Sequence, residues 1–418
     1  MREMRDSGID WIGIIPEHWE LRRAKSMFKQ STSKGNDRLV LLSATQDRGV
    51  VDKSTLDSVV QVSEDADLST FKTVHKNDFV ISLRSFQGGF EISHEEGVIS
   101  PAYTVFRLTT QTYPHFYRHL FKSYGFIDKI NSLTVGIREG KNIQYVDFAD
   151  MLLPYIPLAE QQRIAEFLDR KCAEVDEMIG MQEQIIEELK AYKQSVITEA
   201  VTKGLNPNAP MRDSGIEWIG QIPAHWRVMQ FRRLFEIKKT IANALGYDVL
   251  SVTQGGLKVK DLSANEGQIA QDYSKYQIVG KDDYVMNHMD LLTGFVDCST
   301  QIGVTSPDYR VFQSICKADI SLSYFLRIFQ TCYKLKIFYH LGQGVSGMGR
   351  WRLPTEQLKL FYLPVPPLIE QLDIADYLDE KCADIDSLIQ TKLSKIDSLK
   401  EYKKSIIYEY VTGKREVE

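Results

Sequence analysis

The residues best suited to chemistry in this 418-residue chain are eight histidines, five cysteines and a few short glycine runs. Their arrangement excludes most covalent chemistry. Cys172, Cys298, Cys316, Cys332 and Cys382 are scattered with no CxxC, so neither a zinc ribbon nor a redox dithiol is indicated. Residues 136–141 (GIREGK) lack the glycine spacing of a GxxxxGK[ST] triphosphate loop. There is no dinucleotide fingerprint, no HExxH and no Asn-Pro-Pro-aromatic run of the amino-methyltransferase type. Leu363-Pro364-Val365-Pro366-Pro367 reads instead as a proline-rich lead into a helix. These absences point to a recognition module with no catalytic residue and no metal site, rather than to an enzyme.

The elements that carry the remaining polar residues occur twice. Residues 4–19 read MRDSGIDWIGIIPEHW, and residues 211–226 read MRDSGIEWIGQIPAHW, an offset of 207. GVISPAYTVF from Gly97 returns as GVTSPDYRVF from Gly303, offset by 206. PLAEQQRIAEFLDRKCAEVDEMI from Pro157 returns as PLIEQLDIADYLDEKCADIDSLI from Pro367, offset by 210. Between these blocks the copies share little, which implies one scaffold carrying two different readers. The period is too long for a solenoid, so two similar lobes related by a pseudo-two-fold axis are expected.

Each copy divides into a mixed α/β part and a long helix. Alternating apolar residues predict strands at DFVISL (from Asp78) and YTVFRL (from Tyr103), and again at DYVMNHM (from Asp283) and YRVFQS (from Tyr309). Gln87-Gly88-Gly89 and Gln254-Gly255-Gly256 read as turns, and helices are expected over residues 116–130 and 322–338. Tyr103 and Tyr309, His18 and His225, and Cys172 and Cys382 are repeat equivalents better suited to packing than to chemistry.

An apolar stripe at 3/4 spacing then runs through Val175, Met178, Ile179, Gln182, Ile185, Ile186, Leu189, Tyr192 and Val196. Its counterpart runs through Ile385, Leu388, Ile389, Lys392, Lys395, Ile396, Leu399, Tyr402 and Ile406. We take Val175, Ile179, Ile186, Leu189, Tyr192, Val196, Ile385, Ile389, Ile396, Leu399, Tyr402 and Ile406 as a coiled-coil interface. Pro157 and Pro367 mark the starts, with Glu160 and Glu370 in the first turn, and Gly204 and Gly413 suit the stops. Residues 174–201 alone would make about 42 Å of rod at 1.5 Å per residue. Antiparallel pairing of the two rods would put one lobe near each end.

The net charge of −5 is unevenly spread. Residues 158–203 and 368–418 together carry 14 basic and 22 acidic side chains, so the two lobes sum to +3. A mild basic excess gathered on one face is compatible with duplex binding. Hydrophobic content of 43% is that of a soluble protein, no apolar run approaches a membrane span, and the N-terminal MREMRDSG is no signal peptide. A cytoplasmic location is expected.

The pattern SGI[DE]WIGxIPxHW opening each copy, and PLxEQxxIAxxLDxKCAxxD opening each rod, resemble the specificity subunit of type I restriction–modification enzymes. The resemblance covers the whole chain in the family's order. It implies a first target recognition domain (residues 1–157), a central helical region (158–205), a second target recognition domain (206–367) and a C-terminal helical region (368–418). Both recognition domains are expected to be α/β (α+β), joined by two long antiparallel helices forming a coiled coil. The resemblance further implies that each domain reads half of a bipartite DNA sequence. Two methyltransferase and two restriction/motor subunits would assemble on the scaffold. S-adenosylmethionine, ATP and Mg belong to those partners, and this chain itself binds none. A duplicated coiled-coil scaffold that binds proteins without reading DNA is the alternative.

For the reading surface, polar residues just after the shared strands and in glycine-rich loops are the candidates. In the first lobe these are Arg84, Ser85 and Gln87, with Arg138, Lys141 and Asn142 in GIREGKN. In the second they are Asn287, His288 and Asp290, with Ser346, Arg350 and Arg352 in GVSGMGRWR. Arginine can pair with guanine and Asn or Gln with adenine, whereas Lys more often holds phosphate. Trp11, Trp19, Trp218 and Trp226, with Pro16 and Pro223, are expected to pin the N-terminal segments. Glu160, Gln161, Glu370 and Gln371 are expected either to cap helices, the favoured reading, or to touch a methyltransferase.

Overall fold

The computed structural model describes residues 2–34, 39–46, 48–56, 68–82, 89–133, 143–261, 272–344 and 351–417. Contacts divide the chain into two compact units, Met1–Glu183 with Leu393–Glu418, and Gln184–Lys392. No helix among the described residues is long and apolar enough to cross a membrane.

In the first unit, four antiparallel strands pair in the order Phe28–Ser31, Thr104–Leu108, Phe79–Ile81 and Phe90–Ile92. In the second, the order Phe235–Lys238, Arg310–Ser314, Tyr284–Met286 and Val296–Cys298 repeats that topology. The expected strands are all present, each slightly shorter than its alternating run. Period-two alternation explains how both faces of the first sheet are used. Phe79, Ile81 and Phe106 enter a ring-rich layer with Phe116, Tyr117, Leu120 and Phe121 of the helix Pro114–Lys122. Val80 and Val105 point the other way, to Leu42, Val50, Val74 and Ile99.

The same rings recur in both cores. Phe79 stacks on Phe106 with centroids 5.4 Å apart, and Tyr284 stacks on Phe312 at 5.0 Å. Phe28 and Phe235 meet these stacks edge-on. Buried aromatic rings of this kind contribute both a large apolar area and a fixed relative geometry.

The rods are helices Leu158–Lys203 and Leu368–Val411. They pair antiparallel within each unit. In the first unit Phe167 lies 4.5 Å from Tyr410, and nine residues on Asp176 binds Lys403 at 2.6 Å. In the second unit Lys193 binds Asp386 at 2.6 Å. Asp176 and Asp386 are the same repeat position, as are Lys193 and Lys403. Val175, Ile186, Ile385, Ile396, Leu399 and Ile406 are buried, and Ile179, Leu189, Val196 and Ile389 are partly so.

Tyr192 and Tyr402 depart from the expected interface, being 50% exposed. The buried and half-buried positions follow a 3.5-residue period, 172, 175, 179, 182, 186, 189 and 193. That drift leaves each tyrosine one residue outside the seam, where its hydroxyl meets water. Lys193 and Lys403 take the seam positions, lying their stems along it and carrying the charge out to an aspartate on the other rod.

The rods stop at Gly204 and Gly413, with φ of +76° and +72°. A Cβ on Gly413 would lie 2.5 Å from Pro16 Cδ and 2.8 Å from the Trp19 ring, whereas on Gly204 the nearest atom, on Trp226, is 3.0 Å away. Gly413→Ala therefore combines left-handed strain with steric overlap. We expect a loss of roughly 1–3 kcal/mol in urea denaturation, larger than for Gly204→Ala. Equal losses at the two glycines would contradict the packing described.

Candidate nucleic-acid interface

Two side chains in the first turn of each rod fix the lobes in place. The Glu160 carboxylate accepts from Trp19 Nε1 (3.1 Å), lies 2.9 Å from His18 Nε2 and binds Arg2 at 3.0 Å. These partners hold it below the ordinary carboxylate range even though burial opposes that shift. Glu370 repeats the grip on Trp226 (2.9 Å) and His225 (2.7 Å). Gln161 is fully buried, accepting from the Tyr113 amide at 2.7 Å and donating to the Ile156 carbonyl at 2.8 Å. Gln371, also fully buried, accepts from the Ser321 amide and donates to the Asp319 and Pro366 carbonyls. Instead of capping their own helices, the four residues tie separate segments together. Trp19 and Trp226 are buried beneath them, and Trp11 and Trp218 pack on Phe126 and Phe361.

In each copy two segments fall at matching places in the sequence. One joins the third and fourth sheet strands, its ends closed by Ser82 N–H to Gly89 O (2.7 Å) in the first lobe and Asn287 N–H to Phe295 O (2.9 Å) in the second. The other ends at the buried repeat equivalents Ile143 and Leu353. Arg84, Ser85, Gln87, Arg138, Lys141, Asn142, Ser346 and Arg350 lie outside the described residues. Asn287, His288, Asp290 and Arg352 are described, and the structure brings them together. Leu353 N–H donates to His288 O (3.0 Å) and Leu291 N–H to Trp351 O (3.3 Å), so the two loops of the second lobe form one surface.

Each residue of that surface has a distinct state. The Asn287 carbonyl accepts from Tyr333 OH at 2.9 Å. The Asp290 carboxylate turns inward to the Leu292 and Thr293 amides and the Thr293 hydroxyl, which hold it below its ordinary range against the cost of burial. His288 is pushed down to about 4, first by burial and then by Arg310 and Arg352. Its Nδ1 is buried without a partner. The Arg352 backbone pairs with Gln343 and its side chain is exposed.

Two features of these sites escaped the sequence reading. Arg310 underlies the surface, donating to Leu353 O (3.2 Å) and Thr355 Oγ1 (2.9 Å). The signal was legible, because Arg310 replaces Thr104 within a block whose ten positions otherwise differ only at Ile99/Thr305 and Ala102/Asp308. In the first lobe, His115 and His119 stand four residues apart on one helix, a spacing that can serve a metal. His119 instead binds Asp169 of the rod at 2.6 Å, with Arg118 on the same carboxylate, while His115 stacks against His94. Among the described residues no group of three potential ligands could hold a metal ion.

Residues 225–398 match the family model for the Type I restriction modification DNA specificity domain. The matched residues lie in the second copy of the repeat and include its sheet and most of the second rod. The chain is 25% identical to the EcoBI specificity subunit of Escherichia coli over 66% of this chain and 61% of that protein. It is 22% identical to a putative MjaX specificity subunit of Methanocaldococcus jannaschii over 96% of this chain and 95% of that one. The matches to the EcoBI subunit and to the MjaVIII subunit of M. jannaschii span 61% and 65% of those proteins, under two thirds of their length. Among solved structures, a chain from a study of complex assembly and conformational transition of the type I R-M system superposes with a TM-score of 0.69. That match has 14% identity and covers 95% of this chain and 98% of the other. The HsdS subunit from Thermoanaerobacter tengcongensis superposes at 0.52, with 14% identity and 96% and 98% coverage. At this identity the likeness carries the fold.

The state of His288 has a consequence for this specificity domain. The folded protein binds the ring's proton less readily than the unfolded chain, which takes it up near pH 6.5. Its contribution to stability is therefore complete above about 6.5 and is lost as pH falls toward 4. We expect urea stability to decline over that window, and His288→Gln to flatten the decline. An imidazole titrating near 6.5 by NMR would contradict the burial described.

Proposed function

We propose that this chain reads DNA for a type I restriction–modification complex. Each lobe contacts one half of a bipartite, asymmetric duplex sequence, and the paired rods set the unread gap between the halves. Two methyltransferase subunits dock on the rods, and two restriction/motor subunits complete the assembly. S-adenosylmethionine, ATP and Mg act on those partners, in the cytoplasm, and this chain contributes recognition without catalysis.

The observation that carries the reading is one frame holding two unlike loop sets. Strand order, stacked rings and rod-end grips recur in both lobes, while the sequences GIREGKN and GVSGMGRWR differ between the two copies. Half-sites read from one side of a duplex lie about a helical turn apart, so a stiff element between readers becomes part of the address. Methylating an adenine amino group requires the base to be flipped into a pocket, which calls for a catalytic partner. Half-sites that differ follow from loops that differ.

Deleting this gene should abolish adenine methylation at a single split motif in the host genome, as read by methylation-sensitive long-read sequencing. An unchanged methylome would refute the assignment. Replacing residues 21–154 with the corresponding segment of another family member should change one half of the motif and leave the other half intact. A change in both halves would mean that the lobes do not read independently.

A further inference from the structure

We propose that Arg310, with His288 and Arg352, forms a seat for one phosphodiester of the half-site bound by the second lobe, an inference that rests on the DNA-reading assignment above. Arg310 is a charge without a counterion. Its side chain is 94% buried by its 6% exposure, and Nη1 has no hydrogen-bond partner among the described residues. Its two partners, Leu353 O and Thr355 Oγ1, are neutral. Elsewhere the chain pairs its buried ions. Asp78 binds Arg107 at 2.9 Å, and Asp283 binds Lys238 at 2.7 Å. A buried cation is held more favourably beside an anion than beside neutral groups alone, so this spot suits an anionic ligand.

Among the described residues no carboxylate pairs with Arg310. Asp290, the acid of the adjoining loop, is spent on the Leu292 and Thr293 amides and the Thr293 hydroxyl. From residue 335 to residue 355 the sequence contains no carboxylate but contains Lys336, Arg350 and Arg352. His288 is held neutral, and its buried Nδ1 is likewise unpartnered. The Arg352 side chain is exposed and, among the described residues, makes no ion pair. A phosphodiester offers a negative charge to Arg352 at the surface. Arg310, buried beneath, adds an attraction that water screens little. Arg310 is a positioning residue in this account, acting through Leu353, the backbone anchor it shares with His288. The first lobe has Thr104 at the equivalent position, so the seat belongs to one half-site only.

The test uses the chain in complex with its methyltransferase and a duplex carrying the mapped motif, titrated over a salt series. Arg310→Met should weaken binding roughly tenfold at low salt and lower the slope of log K against log salt by about 1. The same variant should melt no lower than the wild type, because it removes an unpaired buried charge. Arg310→Lys should keep the wild-type salt slope. Arg352→Gln, at an exposed site that cannot compromise folding, should lower the slope while leaving the melting temperature unchanged. An Arg310→Met variant that melts lower yet binds with the wild-type slope overturns the proposal, as does an unchanged slope for Arg352→Gln. Inorganic phosphate that stabilises the wild type but not Arg310→Met, without competing with the duplex, would make this a small-anion site and overturn the DNA assignment of the seat. A wild-type complex with no salt-dependent duplex binding has a different signature: there the DNA-reading assignment itself fails, and the seat with it.

Discussion

The first turn of each rod holds the rest of the structure in place through one buried glutamine. Gln161 and Gln371 each join three segments through a single carboxamide. The oxygen takes the amide of the residue that starts the lobe helix, Tyr113 or Ser321. The nitrogen takes the carbonyl just ahead of the rod, Ile156 or Pro366. The Ile156, Ser321 and Pro366 bonds are buried and the Tyr113 bond partly so, and leaving a buried backbone group unpaired costs about 1–3 kcal/mol. The adjacent glutamate collects the tryptophan and histidine of the N-terminal segment, which closes the same corner from the other side. Each lobe is thereby locked to its rod at the point where chain direction must be set.

This corner explains the pattern of likeness between the two copies. The repeated blocks PLxEQ and IPxHW are the two sides of the grip, and the block GVxSPxYxVF supplies the central strand over which the rings stack. Positions that make the frame are constrained by several partners at once, so both copies keep them. Between these blocks the two sequences differ, and at the turn between the third and fourth strands the closing pair recurs, Ser82 N–H to Gly89 O and Asn287 N–H to Phe295 O.

Much of the frame was legible in the sequence because periodicity is a one-dimensional signal. Strands, rods, terminal glycines and most of the seam follow from apolar spacing and turn residues. The seam failed where the reading followed apolar type to Tyr192 and Tyr402, whereas the packed rods keep the strict 3.5-residue period and put Lys193 and Lys403 there. The roles of Glu160 and Gln161 were not legible, because a polar residue in a first turn looks the same whether it caps its own helix or reaches a residue far away in sequence. For the candidate interface, Asn287, His288, Asp290 and Arg352 are the named residues that are described, and backbone hydrogen bonds join their two segments. The environment of Arg310 could not be read, since burial and missing partners exist only in three dimensions.

The two copies also differ inside the frame, at the contact between lobe helix and rod. Asp169 and Asp379 are repeat equivalents on the rods. The first is held by His119 and Arg118, whereas the second is held by Arg327 at 2.6 Å. His119 is buried, and burial lowers its affinity for a proton, so the hydrogen bond it gives Asp169 is that of a neutral ring. Arg327 carries a permanent charge, and its pair is partly exposed. An arginine therefore grips the rod aspartate in both copies, and the first copy adds a neutral imidazole beside it. The corner that both copies keep is the arginine–aspartate pair, while the neighbouring donor is free to differ.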